Sequence, residues 1–276
     1  MPDHEVSPQR VSQFVLGREM SMRVREWAKA EGWPVSMRGR ISSDVVDAFF
    51  AAHPAALADA DRIETVRAAV REPGDGRAAP DDYAWQDDDS QPLGPIYTLT
   101  FVEHPDKREV LRRFGVAPQD VGPLTDEDVY ERFDATGGRC DLVMVIGLGD
   151  WTVAVEKYGW QGARPEVLRE LARDGGRAVV VSRHDYAHDH FAYAADGQVL
   201  TAFDPAFPCR RHGAAPGCLD GYLRELGIDP EAEDHIGNRI PAALALASRI
   251  SGVLLTPGHL EEPLLGGRIT LPEQSG

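Results

Sequence analysis

Three clusters in this chain combine residue types and spacings suited to chemistry. The first is Arg38-Gly39-Arg40, preceded by Ser36 and followed by the amphipathic run "ISSDVVDAFF". Two guanidinium groups flanking a residue without a side chain suit a narrow anionic groove, because the glycine lets the backbone approach closely. The second is "RHDYAHDH", with His184, His188 and His190 among aspartates. His188 and His190, two apart on a strand, would face one way and suit a divalent metal. A polar turn between strands has the same composition, so no metal and no cofactor are assigned. The third comprises Glu156, Trp160, Arg164 and Asp204, near strand ends or turns. They form either a ligand pocket or an ion-pair network bracing the Gly159-Trp160 turn.

Other chemistries lack their signatures. There is no G-x-x-x-x-G-K, G-x-S-x-G or H-E-x-x-H, and "GLGDW" lacks the third glycine of a dinucleotide loop. No catalytic residue is assigned, and an uncharacterised enzyme in the C-terminal part stays open as a rival reading. Cys140, Cys209 and Cys218 have no metal-type spacing and are read as reduced thiols. "MPDHEVSPQR" has no basic-then-apolar leader pattern, and the most apolar stretch, "IPAALALASRISGVLL", is interrupted by Arg249. A cytoplasmic protein without a membrane partner is expected.

Charge is unevenly spread. The chain carries a formal −16, yet residues 21–43 hold Arg23, Arg25, Lys29, Arg38 and Arg40 against Glu26 and Glu31. That segment is +3, leaving −19 on the rest.

The elements that must position these residues are legible as patterns. Residues 1–17 read as a flexible arm. Residues 18–55 read as a helix–loop–helix module: "SMRVREWAKAE" is a helix stopped by Gly32 and Pro34, and "ISSDVVDAFFAAH" is a second, capped by Ser42 or Ser43. Residues 56–81 read as a helix over 57–70 followed by an acidic linker. Residues 82–276 read as an α+β domain with a mainly antiparallel sheet. Its strands are "IYTLTFV", two around Gly147-Leu148-Gly149-Asp150, "RAVVVSRH", and a hairpin around Asp196-Gly197. Its helices include one capped by Thr125, one opening at Pro165, and others near 218–226 and 240–250.

The first module resembles the C-terminal DNA-binding domain of actinobacterial Lsr-type, H-NS-like nucleoid-associated proteins. The resemblance rests on Arg25-Glu26-Trp27-Ala28, Gly32, Val35-Ser36, Arg38-Gly39-Arg40-Ile41, Asp44-Val45-Val46 and Ala48-Phe49. It implies double-stranded DNA as partner and a nucleoid-associated location. Arg38, Gly39, Arg40 and Ser36 would form the contact loop, with Lys29, Arg25 and Arg23 toward phosphate. AT-rich tracts have a narrow, strongly negative minor groove that attracts arginine, so AT-rich DNA is the expected target. Met37 and Ser42-Ser43 depart from the family pattern. The family's oligomerisation domain is not seen, so bridging and filament formation are not expected. The same mini-fold resembles the peripheral subunit-binding domain of 2-oxo-acid dehydrogenase acyltransferases, which leaves a protein-docking adaptor as an alternative.

The C-terminal part resembles an actinobacterial domain family of unknown function. The matching core runs Asp150-Trp151, Val153, Val155-Glu156, Gly159-Trp160, Gln161-Gly162 and Arg164 through Arg169. A sensor or partner-binding role is expected for it. A further expectation is that Asp81, Asp82, Asp87, Asp88 and Asp89 fold back on Arg38 and Arg40 and compete with DNA.

Overall fold

The computed structural model describes residues 18–35, 41, 43–53, 78–87, 91–185 and 188–270. The arm 1–17, the loop 36–40 with Ser36, Arg38, Gly39 and Arg40, the helix expected over 57–70, and Asp88 and Asp89 lie outside the described residues. The chain divides into two compact units, Met1–Ala69 and Val70–Gly276.

In the N-terminal unit, α1 (Arg18–Ala30) and α2 (Ser43–Ala52) form a helical pair. Val24 and Ala28 of α1 meet Val45, Val46, Phe49 and Phe50 of α2 in one small core. Trp27, Val35 and Ile41 pack against it, so both ends of the intervening loop are pinned to the core. α1 ends in a Schellman motif. Gly32 takes φ +78°, the Trp33 amide donates to Ala28 O at 2.8 Å, and the Gly32 amide donates to Lys29 O at 3.3 Å.

The C-terminal unit is built on one eight-stranded sheet in the order β2-β8-β3-β4-β1-β5-β6-β7, with every pairing antiparallel. Its strands are β1 (Ile96–Val102), β2 (Gly122–Leu124), β3 (Leu142–Leu148), β4 (Trp151–Lys157), β5 (Arg177–His184), β6 (His190–Ala195), β7 (Gln198–Phe203) and β8 (Leu264–Arg268). Its helices are α3 (Lys107–Arg113), α4 (Asp126–Ala135), α5 (Pro165–Leu171), α6 (Asp220–Glu225) and α7 (Arg239–Ser251). Val110 and Leu111 of α3 and Val167, Leu168 and Leu171 of α5 cover one face over Val102, Ala154, Ala178 and Val180. α7 packs against β5 on the sheet and against a 3₁₀ helix, Pro80–Asp87. Covering of both faces explains why β4 is buried along its whole length rather than alternating.

The local signals act as anticipated. Thr125 and Asp128 form a reciprocal capping box at α4. Asp196 at φ +48° and Gly197 at φ +70° make the tight turn between β6 and β7. The sequence reading did not include β2 and β8. β8 contains Gly266 and Gly267, which weaken a strand signature. A Cβ on Gly266 would lie 2.5 Å from Val143 O, so the glycine permits the close approach of β3.

The segment read as an acidic linker is partly an ordered piece of the C-terminal unit. In the 3₁₀ helix Pro80–Asp87, Tyr83 and Gln86 are buried. The Tyr83 hydroxyl shares a 2.5 Å hydrogen bond with Ser248 of α7 and accepts from the Leu255 amide at 3.3 Å. Arg249 Nε donates to Ala78 O at 2.8 Å. Asp81 and Asp82 project outward from this anchored turn.

Candidate functional site

In the N-terminal unit, helix geometry sets the described polar residues around α1. Val24 and Ala28 face α2, which turns Arg23, Glu26 and Lys29 toward solvent and leaves Arg25 half-buried. Aromatic contacts stiffen the side next to the loop. Trp27 meets Phe49 edge-on at 5.6 Å and stacks on Trp33 at 6.4 Å. His53 stacks on Phe49 at 4.5 Å and closes the end of α2 by bonding Phe49 O through Nδ1 at 2.9 Å.

In the C-terminal unit, strand register draws several residues into one line. Glu156 of β4 lies opposite Thr98 of β1, Thr98 opposite Ser182 of β5, and Ser182 opposite His190 of β6. Phe191 pairs with Phe203, so Asp204 follows beside His190 at the end of the row. The four strand residues share a face because side chains alternate with a period of two. This is the face carrying Ala154, Ala178 and Val180 in the α3/α5 core.

The row is dry and internally satisfied at one end and open at the other. Glu156 is 1% exposed. Its carboxylate accepts from the Gln161 amide at 2.7 Å and the Gly162 amide at 2.8 Å. Thr98 Oγ1 bonds Gly159 O and Ser182 Oγ, each at 2.9 Å. Burial pushes the Glu156 carboxyl up to about 7, against the pull of the two amides. His190 is half-buried. Burial first and the nearby His212 second hold its imidazole below the usual histidine range, with Asp204 opposing. His188 is exposed, and its Nδ1 lies 3.5 Å from Asp204 Oδ2.

The residues singled out from sequence are therefore partly gathered. Glu156, His190 and Asp204 lie along one row, with His188 beside its open end. Trp160 stands 43% exposed on the turn that Glu156 holds. Arg164 turns to Glu166 and to Gln161 Oε1, so its partners differ from those of Glu156. His184 is fixed elsewhere, its amide donating to Asp189 Oδ1 at 3.0 Å while Asp189 also pairs with Arg239. Among the described residues, no group of three or more His, Cys, Asp or Glu side chains stands in metal-holding geometry.

Sequence reasoning missed a second polar cluster at the same end of β4 but on the opposite face of the sheet. Lys157 is nearly buried and pairs with Asp126 of α4, while Glu262 Oε1 lies 3.9 Å away. Burial first and the neighbouring Asp126 carboxyl after it raise the Glu262 carboxyl, with the Asp126 backbone amide and, more weakly, Lys157 opposing. Beside them Tyr158 takes φ +57°, an unusual conformation for an aromatic residue. Its ring lies 6.0 Å from the exposed Tyr130 and 4.4 Å from Phe133. Burial, and the hydrogen bond to Tyr130 after it, push the Tyr158 phenol up to about 12. The one available signal was the rarity of lysine, which occurs only at 29, 107 and 157.

Comparison with known families divides the chain in two. The model of a family of unknown function, DUF6461, matches residues 76–264. The model of the Lsr2 DNA-binding domain matches residues 16–52. No solved structure matches the chain. Among the described residues, no helix is long and apolar enough to cross a membrane.

Proposed function

For a chain that belongs to the DUF6461 family of unknown function and carries an Lsr2 DNA-binding domain at residues 16–52, we propose a role as an AT-rich DNA reader bearing a C-terminal sensor. Arg38 and Arg40 enter the minor groove, Gly39 lets the backbone approach the groove floor, and Ser36 helps orient the loop. Lys29 and Arg25 reach phosphate. The observation that carries this reading is the DNA-binding family match over a segment of charge +3 in a chain of −16. So few basic groups give modest, strongly salt-dependent affinity, and the acidic remainder opposes long-range association. The protein then works in the cytoplasm, at the nucleoid.

The C-terminal unit engages its ligand or partner at the open end of the polar row, where His188, His190 and Asp204 meet solvent. The buried end, Glu156, Thr98 and Ser182, fixes the strands and the turn that support it.

The test is fluorescence anisotropy of the full chain with AT-rich and GC-rich duplexes at one stated salt concentration. Preference for the AT-rich duplex, lost in Arg38→Ala/Arg40→Ala, supports the reading. Equal binding of both duplexes, or binding that ignores the arginines, refutes it.

A further inference from the structure

The described residues of the N-terminal unit include one large aromatic side chain that is both exposed and rigidly held. Trp33 is 38% exposed. Its backbone is fixed by the Schellman motif, with the Trp33 amide on Ala28 O at 2.8 Å and Gly32 in the left-handed region at φ +78°. One face of the indole stacks on Trp27 at 6.4 Å with 30° between the rings. Trp27 is itself braced by Phe49 at 5.6 Å and by His53 at 5.9 Å. The indole is thus set before any partner arrives, and little conformational entropy is lost on contact.

Its position matters as much as its rigidity. Val35, two residues on, packs on the helical core and pins the near end of the loop; Ile41 pins the far end. Trp33 thus stands two residues before the point where the chain leaves the core toward the segment that carries the arginines. Lys29, one turn earlier on α1, is exposed beside the same end of the helix. A partner drawn in by the positive charge of this segment and engaged by the loop is therefore brought to the indole.

We propose that Trp33 is a DNA-contacting residue, whose exposed indole face lies against the deoxyribose rim of the groove that the arginine loop enters. The proposal rests on the DNA reading above. Sugar and phosphate receive most protein–DNA contacts, and an aromatic plane against the sugar edge excludes water without requiring a particular base. The contact carries no charge, so it displaces no counterion. It adds affinity without steepening the salt dependence, whereas a phosphate-binding lysine does both.

The experiment measures binding of an AT-rich duplex to the full chain over a salt series. It compares the natural sequence with Trp33→Ala, Trp33→Phe, Lys29→Ala and Arg38→Ala/Arg40→Ala. Intrinsic tryptophan fluorescence is followed in each titration, and thermal unfolding in each variant. Trp33→Ala is expected to weaken binding about fivefold or more with an unchanged slope of log K against log salt. Trp33→Phe should recover most of that loss, and Lys29→Ala should make the slope shallower by about one unit. The duplex should quench fluorescence in the natural sequence, and most of that quenching should be lost in Trp33→Phe. Quenching undiminished in Trp33→Phe overturns the proposal even if Trp33→Ala unfolds. Unchanged affinity in a folded Trp33→Ala, while Arg38→Ala/Arg40→Ala loses binding, overturns it and leaves the arginine reading intact. A natural chain that does not bind the duplex overturns the DNA reading itself.

Discussion

The Glu156 carboxylate and the Gly162 amide, 2.8 Å apart, lock the turn that joins β4 to α5. Gly162 has no room for any side chain. An added Cβ would overlap Thr100 Oγ1 and come within 2.9 Å of Glu156 Oε2. Thr100 Oγ1 is itself buried without a hydrogen-bond partner. A fixed carboxylate and a bare glycine amide thus hold Trp160 outward and start α5 at Pro165.

Gly162→Ala should destabilise the C-terminal unit by about 1–3 kcal/mol through overpacking. Thr100→Val should be neutral or slightly stabilising, because it removes a buried hydroxyl that has no partner. Urea unfolding of both variants checks this pair, and a marked loss in Thr100→Val would contradict it.

Glu156 makes stability depend on pH. Its folded value, about 7, lies above the ordinary carboxylate value of 4.5. The folded state therefore favours the proton, and stability falls as pH rises from about 4.5 through 7. The total change is on the order of 3 kcal/mol. Glu156→Gln keeps an acceptor for one of the two amides and should flatten this slope. Denaturant midpoints from pH 5.5 to 8 for both chains measure it.

His190 acts with the opposite sign. Burial lowers its folded value, so its contribution is present above the ordinary histidine range and is lost as pH falls through the depressed value. His190→Asn should remove a loss of stability on the acid side while leaving the Glu156 slope in place. An NMR titration of the imidazole, read beside the same unfolding series, separates the two groups.

Lys157 is nearly buried against Asp126, whose side chain is 38% exposed. Lys157→Met leaves Asp126 and Glu262 as neighbouring carboxyls without their cation. It should cost about 1–3 kcal/mol after allowance for solvent at Asp126. Adding Asp126→Asn should recover part of the loss. A double-mutant cycle by urea unfolding gives the coupling, and strict additivity would show that the pair is not energetically linked.

Asp81 and Asp82 sit on a turn anchored by Tyr83 and Gln86. Neutralising both to asparagine should tighten DNA binding at low salt by more than neutralising exposed Glu127 and Glu131 to glutamine, as competition for the arginine loop requires. An equal effect would leave only general electrostatic repulsion.

The sequence by itself determined what depends on neighbours along the chain. Thr125 marked the start of α4, Asp196-Gly197 the hairpin, Pro165 the first turn of α5, and Gly32 the end of α1. Each acts through hydrogen bonds or backbone angles within a few residues, so its meaning is local. The DNA-binding domain at residues 16–52 was legible for a similar reason, since its pattern spans one short module. Tertiary structure decided what depends on pairing between distant segments. Nothing in "TLTFV" or "VVVSRH" says that Thr98 and Ser182 stand in line with Glu156 and His190, because register is set by the whole sheet. The composition of "DYAWQDDD", dominated by aspartate, gives no sign that two of its residues are buried. Tyr83 and Gln86 joined the core only because α7, some 160 residues later, supplies Ser248 as a partner. Lys157 likewise became a buried cation only when α4 and the strand-leading loop at Glu262 closed around it.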